Sequence, residues 1–131
     1  MFKMHDFKVE RDALANCDMS DIAGNTVKQM AKDTQRMKDE IIKQVISAHL
    51  GRTNWELSEL EGRCECKVAA DAHPDKRTET FSVDGVDLIT FFPQKVTTAN
   101  NGHSVNMHVE IKYQLHIACE IDLSGLDKSN Q

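Results

Sequence analysis

The 131-residue chain has a formal net charge of -5, with 40% hydrophobic and 5% aromatic residues. That balance describes one globular domain, 1–131, whose core is filled largely by aliphatic side chains and methionine, and it excludes a disordered polyelectrolyte. No apolar run approaches the ~18 residues of a membrane span, and the acidic excess in residues 56–131 argues against general affinity for nucleic acid or an anionic membrane.

The first residues, with His5 and Asp6 close behind Phe2 and Met4, lack the apolar core of a signal peptide. Cys17, Cys64, Cys66 and Cys119 have neither disulfide-framework density nor zinc-ribbon spacing. A reducing, cytoplasmic setting is expected, or assembly into a particle made inside the cell.

Residues 1–19 mix polar and apolar positions irregularly, which suits an N-terminal arm or short strand. From Ser20 the period becomes helical. Val27, Met30, Thr34, Met37, Ile41, Val45 and Ala48 recur at three- and four-residue steps, and Ile42, Ile46 and Leu50 widen the stripe. A long helix over 20–51 follows, with Gly51 as its left-handed stop. Thr53 and Glu56 have the spacing of a capping box, so one more helical turn is expected before Gly62.

An antiparallel sheet is expected over 57–123. Leu60, Cys64, Cys66, Val68 and Ala70 alternate with mostly charged residues as a first strand, and His73, Pro74 and Asp75 make a turn. A second strand runs from Arg77 to Val83. Asp84 and Gly85 are a strong signal for a type I′ hairpin into a third strand from Val86, and Asn101 and Gly102 repeat that signal. The fourth strand is the most regular stretch: apolar residues fill every odd position from Val105 to Leu123, and the even positions from Asn106 to Asp122 are polar apart from Ala118. At ~3.3 Å per residue it would be ~60 Å long, more than the width of a domain of this size. A polar tail, 124–131, closes the chain.

Two-residue hairpins set a register in which Val96 faces Met107, Phe92 faces Ile111, Leu88 faces Leu115 and Phe81 faces Leu88. The expected fold class is therefore α+β: one long amphipathic helix packed on a four-stranded antiparallel meander with a projecting hairpin. In this register Val96, Val105, Met107 and Val109 line an arm without a cover. Ile121 and Leu123 overrun the sheet at its other end, with the N-terminal segment as one candidate neighbour. The register turns Ile89 and Phe91 away from the helix, so either local twisting or a bulge returns one of them to the core, or they meet a subunit or partner. These eight residues are the candidate interface.

Chemistry is sparsely signalled. Asp87, Lys95, His108 and His116 share the polar sheet face as candidate ligand contacts, with His116 expected opposite Asp87 and His108 opposite Lys95. Cys64 and Cys66 lie on one face of their strand and read as small core hydrophobes in preference to metal ligands. Lys28, Lys32 and Arg36 form a short basic row that reads as a solvated helix face. There is no glycine-rich phosphate loop, metalloprotease helix or nucleophile elbow. No cofactor or metal is expected.

The function expected from these features is non-enzymatic. The leading expectation is an oligomeric interaction or assembly protein, by analogy of architecture a ring, tube or shell subunit of phage type. The alternatives are a small acidic inhibitor or immunity-type protein that blocks a partner enzyme, and a small-ligand binder or sponge with a pocket between subunits.

Overall fold

The computed structural model describes residues 4–14, 19–69, 76–100 and 104–124, those at 11–14, 19–27, 100, 104 and 105 as backbone only. The elements are β1 (Met4–Leu14), α1 (Met19–Leu50), a 3-10 turn at Leu57–Leu60, β2 (Cys64–Ala69), β3 (Thr78–Val83), β4 (Val86–Phe91), β5 (Lys95–Asn100) and β6 (Ser104–Leu115). Cys17, the expected turn at His73, Pro74 and Asp75, the hairpin tip at Asn101 and Gly102, and the tail from Gly125 lie outside the described residues.

The fold is α+β, one helix on an antiparallel sheet, and the sheet has six strands where four were expected. Their order is β1-β6-β4-β3-β2, with β5 also paired to β6. The additional strands have simple origins. The N-terminal segment is β1, which pairs with β6 from Met4↔Gln114 to Leu14↔Ser104. It therefore covers the arm, not the overrun beyond Ile117. Pro93 divides the expected third strand into β4 and β5, because proline cannot donate to the ladder.

Pro93 also corrects the register. Along β5, Val96 faces Val109, two residues from the expected partner, because the connection runs from Asn100 to Val105 and is longer than an Asn-Gly turn. Along β4, Ile89 faces Leu115 and Phe91 faces Tyr113, a shift of only one residue from expectation. A shift of two keeps every side chain on its face, while a shift of one turns them all over. Ile89 and Phe91 accordingly point into the core, 0% and 3% exposed. A bulge between Phe81 and Ser82 absorbs the difference on the other edge of β4, so that Phe81 faces Ile89, Ser82 faces Asp87, and Leu88 is the extra residue. Leu88 is fully buried as well.

The core lies between α1 and the inner face of the sheet. Met30, Met37, Ile41, Val45 and Ile46 of the helix are buried, together with Phe7 and Val9 of β1 and the row Met107, Val109, Ile111, Tyr113 and Leu115 of β6. Ala48, expected on the buried stripe, is exposed. Gly51 ends the helix as expected, at φ +73, with its own N–H and that of Arg52 both donating to Ser47 O. Thr53 is not the cap of the next turn. That position is Glu56, whose side chain makes no capping bond. Asp84 (φ 55) and Gly85 (φ 78) supply the two positive φ angles of the expected hairpin turn.

The strand expected to reach Leu123 stops at Leu115, where a bend follows, and Ile117, Cys119, Ile121 and Leu123 beyond it are packed on the core without regular pairing. The clamp is Gln44 of α1. Its Nε2 donates to Asp122 O at 2.7 Å and its Oε1 accepts from Asp122 N at 2.8 Å, as a neighbouring strand would. Substituting Gln44→Ala is expected to release this segment. Burial raises the Cys119 thiol above its ordinary pKa, and release should speed its alkylation by maleimide severalfold while α1 keeps its helical signal in circular dichroism.

One buried group in the helix is badly placed. Thr34 is 6% exposed and its Oγ1 has no hydrogen-bond partner among the described residues. It borders a cavity of about 110 Å³ lined also by Met30, Val96, Met107 and Val109. Valine has nearly the shape of threonine and a similar helix propensity. Thr34→Val should therefore stabilise the fold by about 1 kcal/mol, because it removes an unsatisfied hydroxyl. Thermal unfolding should show Tm higher by roughly 4 °C.

Candidate functional site

The outer face of the sheet begins with the even positions of β6. Register places Asp6 opposite Lys112, Lys8 and Lys95 on either side of Glu110, and Glu10 and Thr97 on either side of His108. Opposite charges facing one another across strands stabilise a solvated ladder. Lys95 and His108 thus have neighbours other than those expected, and His108 faces Thr97 where Lys95 was expected.

Nearer the hairpins, two short polar chains cross the same face. Thr80 Oγ1 and Thr90 Oγ1 are 2.9 Å apart, and Thr90 Oγ1 lies 2.8 Å from His116 Nε2. Beside them Ser82 Oγ donates to Asp87 Oδ1 at 2.7 Å and Lys67 Nζ donates to the same oxygen at 3.3 Å. The Ser82 hydroxyl first and Lys67 second hold the Asp87 carboxyl below its ordinary pKa. Asp87 is thus committed to Ser82 and Lys67, and the group bonded to His116 is Thr90.

A threonine hydroxyl on an imidazole is the first half of a nucleophile and base pair. The second half is a group that orients the imidazole, and among the described residues the His116 ring is hydrogen-bonded to Thr90 without such a group. His116 is exposed, and the pair sits on an open sheet face. Lys95 and His108 are too distant to join it: at ~3.4 Å per residue, His108 lies about 27 Å along β6 from His116. The four candidate ligand contacts therefore form two separate groups. Thr80 and Thr90 were not singled out as partners of His116, because their alignment depends on the one-residue shift at Pro93.

The candidate interface residues divide in the same way. Ile89, Phe91, Met107 and Val109 are buried within the chain, and Ile121 and Leu123 are half-buried against its core. Val105 pairs with Ala13 and Asn100 through its backbone. Among the candidate residues whose side chains are described, only Val96, 52% exposed, offers a large apolar surface to solvent. Lys28, Lys32 and Arg36 are exposed, with Arg36 3.8 Å from the buried Asp33.

Two of the clefts that flank the helix are lined in part by aromatic side chains. One, of about 400 Å³, is lined by Lys38, Arg77, Glu79, Phe92, Pro93 and Gln94 among others. Lys38 is held there by Glu79 at 3.2 Å and lies 4.9 Å from the centre of the Phe91 ring, so its charge is already matched. The other, of about 530 Å³, lies between Ile42 and Ile46 of α1 and Trp55 and Leu57 of the following segment. Trp55 Nε1 donates to Ser47 Oγ at 2.8 Å and pins that segment to the helix.

Strand β2 forms one end of the sheet, and every residue from Cys64 to Ala69 is exposed. Cys64 and Cys66 share the inner face with Val83 and Phe81, their register partners, but α1 does not reach over them. They are not core hydrophobes, contrary to expectation. Among the described residues no group of three or more His, Cys, Asp and Glu side chains is placed to hold a metal ion. No helix among them is long and apolar enough to cross a membrane. Comparison with family models, with curated proteins and with solved structures gave no match.

A polar clasp fixes β2 to the rest of the chain. Arg63 donates from Nε and Nη2 to the two carboxylate oxygens of Asp84 at 2.8 and 2.7 Å, and His49 Nε2, near the end of α1, is 3.5 Å from Asp84 Oδ2. These bonds, the Arg63 guanidinium foremost, lower the Asp84 pKa from 3.8 to about 2. A carboxyl with a depressed folded-state pKa stabilises the fold fully above its ordinary value and loses that contribution as pH falls through the folded one. Asp84→Asn, which tolerates the same positive φ, should lower stability at neutral pH. It should also flatten the pH dependence between 3.8 and about 2, as read by urea denaturation across that range.

Proposed function

We propose that this chain is a non-enzymatic interaction protein that works as a homo-oligomer, its copies joined through the ends of the sheet. The observation that supports this reading is the strand order. Three strands, β1, β2 and β5, have only one neighbour each among the described residues, and β2 is open to solvent on both faces as well. A strand edge with free N–H and C=O groups is a template for another strand. A sheet open at both ends is a suitable unit for a ring, tube or shell built by strand addition, as in particles of phage type.

The polar chemistry of the chain agrees with a binding role. Lys38, Asp84 and Asp87 are engaged in ion pairs or hydrogen bonds that stabilise the fold, and the Thr90 and His116 pair lies on an open face. In the apolar arm that first suggested assembly, Met107 and Val109 are buried within the chain, so the support moves from that arm to the strand edges. Light scattering on the purified chain at micromolar concentration should give a mass that is a multiple of the single chain. A stable monomer across that range would overturn the reading.

A further inference from the structure

We infer that β2 is a self-complementary edge that pairs antiparallel with β2 of a second copy about a twofold axis at Cys66. This inference rests on the homo-oligomer reading and gives it a specific surface. The argument begins with symmetry. A twofold axis perpendicular to a sheet returns each strand antiparallel to itself and keeps each face on its own side, so only residues of one face can meet across it. Within β2 the axis can therefore pass through a residue, not between two.

Placing the axis at Cys66 sets Glu65 of each copy opposite Lys67 of the other, and Cys64 of each copy opposite Val68 of the other. Both charged residues of the strand then meet an opposite charge, and its inner-face residues meet one another. An axis at Glu65 or at Lys67 sets like charges face to face, which is destabilising. An axis at Val68 leaves Lys67 opposite Ala69, without its partner. An axis at Cys64 brings Glu65 opposite Arg63, already held by Asp84 through two hydrogen bonds. Of these axes, the one at Cys66 sets each charged residue of the strand opposite a charge of the other sign, and it draws on Lys67, held by one 3.3 Å contact, and not on Arg63, held by two shorter bonds. Lys67, which reaches Asp87 at 3.3 Å, would then lie between two carboxylates.

Strand β5 also has a single neighbour, but Lys95 is its one charged residue, so a twofold axis there finds no opposite charge. Burial distinguishes the β2 edge from β1. An edge lysine ordinarily protects a strand against pairing, and β1 also alternates charge, through Asp6, Lys8 and Glu10. The inner face of β1 is already filled, however, because Phe7 and Val9 are buried. On β2 the inner row Cys64, Cys66 and Val68 is exposed, Val68 at 49%, and gains cover from the same row of a second copy.

Sedimentation velocity on the full chain and its charge variants tests the inference. Lys67→Glu and Glu65→Lys each replace two facing attractions with two repulsions and should weaken self-association at least about tenfold. The double variant E65K/K67E restores opposite charges and should return to within about threefold of the parent chain. Lys8→Glu, on β1, should have no effect. In a variant with Cys66 as the only cysteine (C17S/C64S/C119S), diamide, which takes up the two thiol hydrogens as the S–S bond forms, should give a covalent dimer. Facing Cα atoms ~4.5–5.5 Å apart are within disulfide reach. A monomeric parent chain would overturn the homo-oligomer reading and this inference together. An oligomer that survives Lys67→Glu, or that only Lys8→Glu disperses, would overturn the β2 edge and leave the oligomer standing. Should a charge variant fail to fold, as judged by circular dichroism, the Cys66 cross-link decides, and its absence in an oligomeric sample counts against the inference.

Discussion

Strand β6 is held on both of its edges, by β1 along one and by β4 and β5 in succession along the other, and the placement of the other layers follows from that pairing. Its odd positions from Met107 to Leu115 are all buried. A fully buried aliphatic side chain contributes ~1.5–3 kcal/mol relative to exposure, so this one row accounts for a large share of the burial that orders the sheet. A one-residue slip would present the polar row to α1. The neighbours must therefore adapt to β6, and they do so at two places: the break at Pro93, and the bulge at Leu88 that re-aligns β3.

The same constraint explains what covers the ends of this long alternating stretch. Toward Ser104, β1 supplies a full set of antiparallel partners. Beyond Leu115 no strand is available, and the amide of Gln44 supplies two strand-like hydrogen bonds from a helix. The chain thus closes its own apolar row through an N-terminal strand and a helix side chain. What it leaves open among the described residues is the backbone at the outer edges of β1, β2 and β5, where hydrophobic pattern has little to say and charge has more.

How far the sequence could be read depends on which symmetry each feature breaks. Alternation identifies the half-buried strand from Val105 to Leu115, though it runs on past the strand's end, and the three- and four-residue steps from Met30 to Val45 identify the helix face, because these periods belong to the backbone itself. The Asp84 and Gly85 turn is legible because positive φ restricts residue choice. Register is less legible, since pairing Val96 with Met107 or with Val109 buries the same faces. The orientation of Ile89 and Phe91 depends on a one-residue offset beside Pro93, which marks a break in the ladder without giving its size. For β1, Phe7 and Val9 were visible as apolar positions, but the strand they pair with lies a hundred residues away, and nothing local specifies it. The pairing of Thr90 with His116 was hidden for the same reason, since it exists only in the shifted register.

Edge strands need a further distinction. Charge on an edge discourages pairing when it is of one sign, because any second strand then meets repulsion. When two opposite charges stand two residues apart on one face, a twofold axis between them sets each opposite its counterpart, and the same charges favour a partner of identical sequence over others. Glu65 and Lys67 have that spacing, and so do Lys8 and Glu10. Charge spacing alone therefore does not determine which edge associates. The deciding quantity is the apolar area still exposed on the opposite face of the same strand: it is small on β1, where α1 has already covered Phe7 and Val9, and substantial on β2, which the helix does not reach. The position of α1, fixed by the buried row of β6, thus leaves one edge filled and the other in need of a partner.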